Sequence, residues 1–175
     1  LWQAQYDLGA GADAWAADGR QTGRAPRDPE RWARVVIQAL RHLNDGWADG
    51  HRWDVRLVEF PNDPCGLGGY DCRSLDGADG RPGRRRLAED LIRLLRAVEA
   101  YNAEFGRDVR VAGPAMPAAE ALRWLPELAK ALARAKLRLP ILSYHDEAWP
   151  QELARHAQRV RRALDDAGLC ETPVW

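Results

Sequence analysis

From Asp28 to Asn44, "DPERWARVVIQALRHLN", apolar residues recur at Trp32, Val35, Val36, Ala39, Leu40 and Leu43. This is the i, i+3, i+4, i+7 spacing of one buried helix face, with Asp28 placed to cap the helix and Pro29 suited to its first turn. After the polar turn "DGWADGHR" the period changes. "WDVRLVEF", Trp53 to Phe60, is short and rich in β-branched and aromatic residues, and predicts a strand that delivers "PNDP" at its C-terminal end. A glycine-rich loop from Cys65 to Gly83 follows. The helical period then returns in "RRRLAEDLIRLLRAVEAYNAEFG", with Leu87, Leu91, Leu94, Leu95, Val98 and Tyr101 inward.

The alternation continues to the last residues given. "DVRVAGPA" predicts a strand around Val109 to Gly113. "AAEALRWLPELAKALARAK" predicts a helix that Pro126 is placed to kink. "LPILSYH" predicts a strand from Pro140 to His145, and "PQELARHAQRVRRALDDAG" a helix ended by Gly168. "TPVW" opens a further strand. No residue-level repeat, low-complexity tract or flexible linker interrupts the pattern, so one domain is expected.

Strands alternating with amphipathic helices imply βα units on a parallel sheet, either closed into a barrel or doubly wound in an open sheet. A nucleotide-binding open sheet favours a glycine-rich phosphate turn directly between strand and helix. Neither GxGxxG nor GxxxxGK[ST] is present, and "GLGGYDC" sits in a long loop well before the next helix. The pattern therefore favours the barrel.

Composition narrows the partners. At 175 residues and 46% hydrophobic content the chain can bury a sizeable core. Its 26 basic residues balance 26 acidic ones, which leaves no field to draw nucleic acid or an anionic membrane. No run approaches about 18 apolar residues, and the N-terminal residues lack the basic start and apolar core of a signal peptide. Arg outnumbers Lys 24 to 2, which reflects genome composition more simply than a site full of guanidinium groups. The chain begins without Met and stops just after Pro173 has opened a strand, so it is expected to be a segment of something longer. Its oligomeric state and compartment are not written in the residues.

Three groups of residues carry candidate chemistry. In "VEFPNDP", Asn62, Asp63 and Pro64 are usual turn formers, and local chemistry alone makes Asp63 a turn residue. Cys65 and Cys72 fit either two thiols or a small disulfide loop beside Asp63, with Cys170 left free. They are not a CxxC and have no second cluster, so no metal site or cofactor is expected. Of the eight tryptophans, Trp32 and Trp124 lie on helix faces and are assigned to the core.

The stretch "VEFPNDP" resembles the "WE(I/V)WNEP" motif of retaining glycoside hydrolases built on (β/α)8 barrels, especially family 39, the β-xylosidase and iduronidase group. Glu59, Asn62 and Pro64 fall on matching positions, and Asp63 falls on the acid/base Glu. Upstream, "DPERWARVVIQALRHLNDGWADGHRWDVRLVEF" is similar to that family's Trp-containing helix, "HL..GW" turn and strand 4. Downstream, "VRVAGPAM" is similar to its strand 5 and "LPILSYHDEAW" to its strand 6, so the similarity runs in order from about Arg27 to Trp175. It implies a TIM-barrel-type α/β fold of which the chain covers about strands 3 to 7. Two positions depart from the pattern: Asp63 replaces Glu, and Pro61 stands where the family has Trp. The family's nucleophilic Glu lies in a "TEW" element on strand 7, where this sequence reads "TPVW".

The resemblance implies roles for particular residues. A retaining glycosidase uses two carboxyl groups roughly 5 Å apart, one protonating the leaving oxygen and one attacking the anomeric carbon. Asp63 would be the first, at the mouth of the barrel, with Asn62 hydrogen-bonding the sugar 2-hydroxyl. His145 ends a strand and would face the same mouth, whereas its neighbour Tyr144 would pack on the other side. Tyr70 and Trp149, in strand-following loops, would stack on a sugar ring. Glu59 is expected to pair with an Arg, and Glu171 precedes the strand and is not assigned as nucleophile. The implied activity is hydrolysis of O-glycosidic bonds in the full-length parent, on a carbohydrate substrate. The alternatives are a glycan-binding or scaffold relative with a degenerate site, and an unrelated α/β enzyme in which "NDP" is only a turn.

Overall fold

A computed structural model describes residues 2–3, 25–60, 62–65, 69–78 and 81–175. Helix α1, Pro29–Asn44, begins where expected, with the side chain of Asp28 accepting a hydrogen bond from the backbone N–H of Arg31. Its buried face is Trp32, Ala33, Val36, Leu40 and Asn44, while Val35, Ala39 and Leu43 are half-buried. Asn44 explains this rotation. Its amide exchanges two hydrogen bonds with the backbone of Val55, at 2.8 and 3.0 Å, fastening the end of α1 to the following chain.

The first strands are β1, Trp2–Gln3, and β2, Leu57–Glu59. β2 is shorter than the expected Trp53 to Phe60. Residues 53–56 belong to no strand: Trp53 is exposed and stacks on His51 with ring centroids 4.1 Å apart, and Val55 is held by Asn44. The loop that follows carries a two-residue antiparallel pair, β3, Gly77–Ala78, and β4, Arg81–Pro82. It leads into α2, Arg84–Phe105, whose six expected inward residues are all buried and which Gly106 terminates with left-handed backbone (φ 63°).

β5, Arg110–Ala112, and β6, Met116–Pro117, follow, then α3, Ala118–Ala135, with Pro126 on its exposed face. The last named elements are β7, Tyr144–His145, and α4, Pro150–Asp166, with Gly168 (φ 76°) just beyond it.

Among the described residues every strand pairing apart from β3 with β4 is parallel. β1 pairs with β2, β2 with β5, Ala112 with Ile141, β6 with β7, and Leu142 with Val174. The spatial order follows the chain order, with α1 on α2, α2 on α3 and α3 on α4 in mutual contact. Trp32, Trp124, Leu87, Leu91 and Leu128 are fully buried between helices and strands, as the helical period requires. Gly113 lies at a crossing too close for a side chain, since a Cβ there would collide with the carbonyl oxygen of Phe60. The molecule is thus an α/β structure of parallel strands with helices packed against them. Among the described residues no helix is long and apolar enough to cross a membrane.

Candidate active site

The C-terminal ends of three strands converge. Beyond β2 the N–H of Phe60 donates to Ala112 O at 2.8 Å, Asn62 bridges Ala115, and the N–H of Asp63 donates to Ala115 O at 2.7 Å. Beyond β5 the chain reaches β6, where Met116 is in register with Tyr144 and Pro117 with His145. Asn62, Asp63 and His145 therefore stand at one end of the sheet, on the two strands that flank the segment Ala115–Pro117. In a parallel α/β sheet this is the end at which ligands bind.

The turn at Asp63 has a specific backbone. Its φ of 45° is in the left-handed region, which Asp and Asn enter more readily than longer side chains. Two residues later Cys65 is joined to Cys72 in a disulfide, with Cα atoms 5.3 Å apart, which closes a short loop beside Asp63. The choice left open by the sequence is thereby made in favour of the disulfide, and Cys170 is free and exposed.

One carboxyl in this cluster was missed by the sequence reading. Because α3 starts immediately after β6, its first turn brings Glu120 to the same end of the sheet as Asp63 and His145. Glu120 is half-buried, and its Oε2 is buried without a hydrogen-bond partner among the described residues. Burial pushes its carboxyl above the ordinary glutamate range, and the charge of Asp63 pushes it further. Arg123, His145 and Arg73 pull in the other direction. A carboxylate oxygen of Glu120 and the sulfurs of Cys65 and Cys72 lie within 4.8 Å of one another. With the sulfurs bonded to each other they offer no thiolates, so the group is not a metal centre in this state. Glu120, Asp71, Arg73 and the disulfide line a polar cavity of about 470 Å³. An acidic residue in the first turn of an amphipathic helix reads as an ordinary helix-start residue, and only the strand pairing brings it to Asp63.

The other expected site residues divide. Tyr70 is not a sugar platform: it is fully buried, and its hydroxyl donates to Asp90 Oδ2 at 2.8 Å. Asp90 has no exposed side-chain surface, and its other oxygen accepts from Arg86 Nε at 2.8 Å and Arg93 at 3.1 Å. Burial raises this carboxyl, while the Tyr70 hydroxyl and the Arg86 guanidinium oppose the rise. Trp149 is the reverse case. It is 77% exposed at the start of α4, over a shallow depression of about 540 Å³ shared with Asp146, Glu147 and Glu152. Tyr144 packs against the core, as alternation along the strand requires. Glu59 is buried on β2 between Val58 and Phe60, and Glu171 is a surface residue paired with Arg138 at 2.6 Å. Pro61 and residues 66–68, which belong to the motif and the glycine-rich loop, lie outside the described residues.

No protein-family model matches the chain, and no curated protein sequence matches it significantly. The fold is similar to that of a glucosidase from Croceicoccus marinus whose crystal structure is known, with a TM-score of 0.64 and 21% sequence identity. The likeness covers 86% of this chain and 30% of the glucosidase chain, so the chain spans less than a third of that protein's length. At this identity it is the fold that the two chains share.

Proposed function

We propose that the chain is part of a retaining glycoside hydrolase, covering about strands 3 to 7 of a (β/α)8 barrel, with Asp63 at the acid/base position. The observation that carries this reading is the convergence of Asn62, Asp63 and His145 at the C-terminal end of parallel strands arranged in chain order. A strand order that never reverses, with each helix against the next, is single winding, as in a barrel segment. Asp63 protonates the glycosidic oxygen as the C–O bond breaks, and then takes a proton from the water that hydrolyses the glycosyl-enzyme. Asn62 bonds the sugar 2-hydroxyl, His145 lines the same mouth, and Trp149 stacks on a ring further along the substrate. Glu171 is held at the surface by Arg138 and is not assigned as the attacking carboxylate. The Cys65–Cys72 disulfide fits an oxidising compartment outside the cytosol.

A second reading, glycan binding without turnover, is favoured by the left-handed backbone at Asp63, which suits a turn former. The experiment is hydrolysis of a panel of aryl glycosides and unactivated disaccharides by the full natural reading frame that contains this chain, with the product anomer followed by NMR. Hydrolysis with retention, lost on unactivated substrates in Asp63→Asn by about 100- to 10,000-fold, supports the enzyme. Binding without turnover supports the second reading, and unchanged hydrolysis in Asp63→Asn removes Asp63 from the mechanism.

A further inference from the structure

Cys65, Cys72 and Glu120 have no part in the proposed sugar chemistry, yet the fold gathers them from two loop positions and the first turn of α3. A carboxylate oxygen of Glu120 and the two sulfurs lie within 4.8 Å of one another, and all three residues line the same polar cavity of about 470 Å³. We propose that they form a redox-gated site for a thiophilic divalent cation such as Zn²⁺, closed while the sulfurs are joined in the disulfide and open to the metal once that bond is reduced. The inference is independent of the glycosidase reading.

Three observations carry it. The first is spacing. Bonds of about 2.3 Å to sulfur and about 2.0 Å to oxygen, at tetrahedral angles, put two thiolates on one Zn²⁺ about 3.8 Å apart and a carboxylate oxygen about 3.5 Å from each. The three ligand atoms already lie within 4.8 Å, and with Cα atoms 5.3 Å apart, rotation about the Cα–Cβ bonds of Cys65 and Cys72 spreads the freed sulfurs toward that geometry. The second is the Oε2 of Glu120, which is buried without a hydrogen-bond partner among the described residues. Coordination satisfies an oxygen otherwise left short. The third is the cavity, which gives the cation an entry path and leaves a fourth position to water. Arg73 lines the same cavity and balances the one negative charge left when two thiolates and a carboxylate meet a divalent cation. Two sulfur ligands select Zn²⁺ over Mg²⁺ and Ca²⁺, which take oxygen ligands.

A dithiol reductant supplies the two electrons. Its thiolate attacks one sulfur, the Cys65–Cys72 bond breaks, and its second thiol closes the reductant into its own disulfide, leaving both cysteines as thiols. Metal binding then displaces the two thiol protons to solvent. The loop from Cys65 to Cys72 is closed in both states, by a covalent bond in one and by the cation in the other.

The test titrates Co²⁺, and then Zn²⁺ in competition, into the full natural reading frame that contains this chain, oxidised and after anaerobic reduction with the excess reductant removed. Thiolate-to-cobalt charge-transfer absorption is the readout. The reduced wild type should take up Co²⁺ with that absorption and lose it to Zn²⁺, and the oxidised protein should not. The double variant Cys65→Ser with Cys72→Ser should lose the signal. Cys170→Ser should keep it, since Cys170 lines a different cavity. Loss of a group that only supports a metal ligand costs about 10- to 100-fold in affinity, so Glu120→Gln should weaken binding at least about tenfold. This variant keeps both cysteines and the disulfide, so it tests the site even if the double variant does not fold. Absence of uptake by the reduced wild type, uptake that survives loss of both cysteines, or an affinity indifferent to Glu120→Gln overturns the site. Glycoside hydrolysis enters none of these readouts, so the site and the glycosidase reading stand or fall separately.

Discussion

The backbone N–H of Asp63 donates to the carbonyl oxygen of Ala115 at 2.7 Å, and this bond fixes the turn at Asp63 to the end of the neighbouring strand. The contact uses backbone alone, and the φ of 45° is what a substitution at this position has to keep. Asn is at home in that conformation, and Asp63→Asn should keep the wild-type unfolding temperature while losing activity. Glu, with its longer chain, enters left-handed backbone at a cost bounded by about 1–2 kcal/mol, so Asp63→Glu should unfold at lower temperature. Equal stability of Asp63→Glu and wild type, by thermal unfolding, would show that the turn does not select Asp.

Tyr70 makes a contrasting prediction. Its hydroxyl is one of three donors that satisfy the fully buried Asp90, and Tyr70→Phe leaves that carboxylate one donor short. Losing a hydrogen bond to a buried charged group costs about 1.5–3 kcal/mol. Urea unfolding should register that loss, while glycan affinity and KM stay at wild-type values. A change in KM without a change in stability would restore Tyr70 to the sugar site.

How much of this was legible in the residues depends on the range of the interaction involved. α1, α2, α3 and α4 followed from apolar spacing and their end signals, because Asp28, Gly106 and Gly168 act within a few residues of where they stand. The parallel order followed from the alternation of elements. Strand lengths did not, since the side chain of Asn44 takes the backbone partners of Val55 that a longer β2 would have used. Tyr70 was misread because its partner, Asp90, is 20 residues away on α2 and no local pattern links them. Glu120 was missed for the same reason: its approach to Asp63 exists only through the pairing of Asn62 with Ala115.

The raised carboxyl of Glu120 has a consequence for stability that needs no substrate. The folded state binds this proton more tightly than the unfolded state does, so the contribution is complete below the ordinary glutamate value of 4.5. It is lost as pH rises through the folded-state value. Glu120→Gln is neutral throughout and loses nothing. Denaturant unfolding at a series of pH values should show the mutant gaining on wild type as pH rises through that window and a constant difference above it. A difference that does not vary with pH would mean that Glu120 ionises as freely in the fold as outside it.

The disulfide should hold both the fold and the site. Cys65 and Cys72 are 7 residues apart, and closing so short a loop in the unfolded chain is worth about 2–3 kcal/mol on chain-entropy grounds. Reduction, or the double change Cys65→Ser and Cys72→Ser, should lower the unfolding temperature and loosen the loop that covers Glu120. In hydrogen exchange the amides of residues 69–78 should lose protection while those of α4 keep theirs. Uniform loss across the chain would mean that the bond sustains the whole fold and has no local duty beside Asp63.

Trp149 lets the proposed sugar contact be tested apart from stability, because so little of it is inside. At 77% exposure it contributes almost nothing to the core, and Trp149→Ala should leave unfolding within about 0.5 kcal/mol of wild type. Its place at the start of α4 does not depend on the indole, since the backbone carbonyl of Trp149 accepts from Glu152 at 2.8 Å and Leu153 at 3.0 Å. An aromatic platform on a sugar ring is worth about 0.5–1.5 kcal/mol, so removing it should weaken oligosaccharide binding about two- to tenfold. Trp149→Phe should recover part of that loss. The effect should grow with oligosaccharide length if the depression beside Asp146 and Glu152 holds a ring remote from the one at Asp63. Calorimetric titration of Trp149→Ala with oligosaccharides of increasing length reads this directly, and wild-type affinity at every length would leave Trp149 an exposed surface residue with no part in binding.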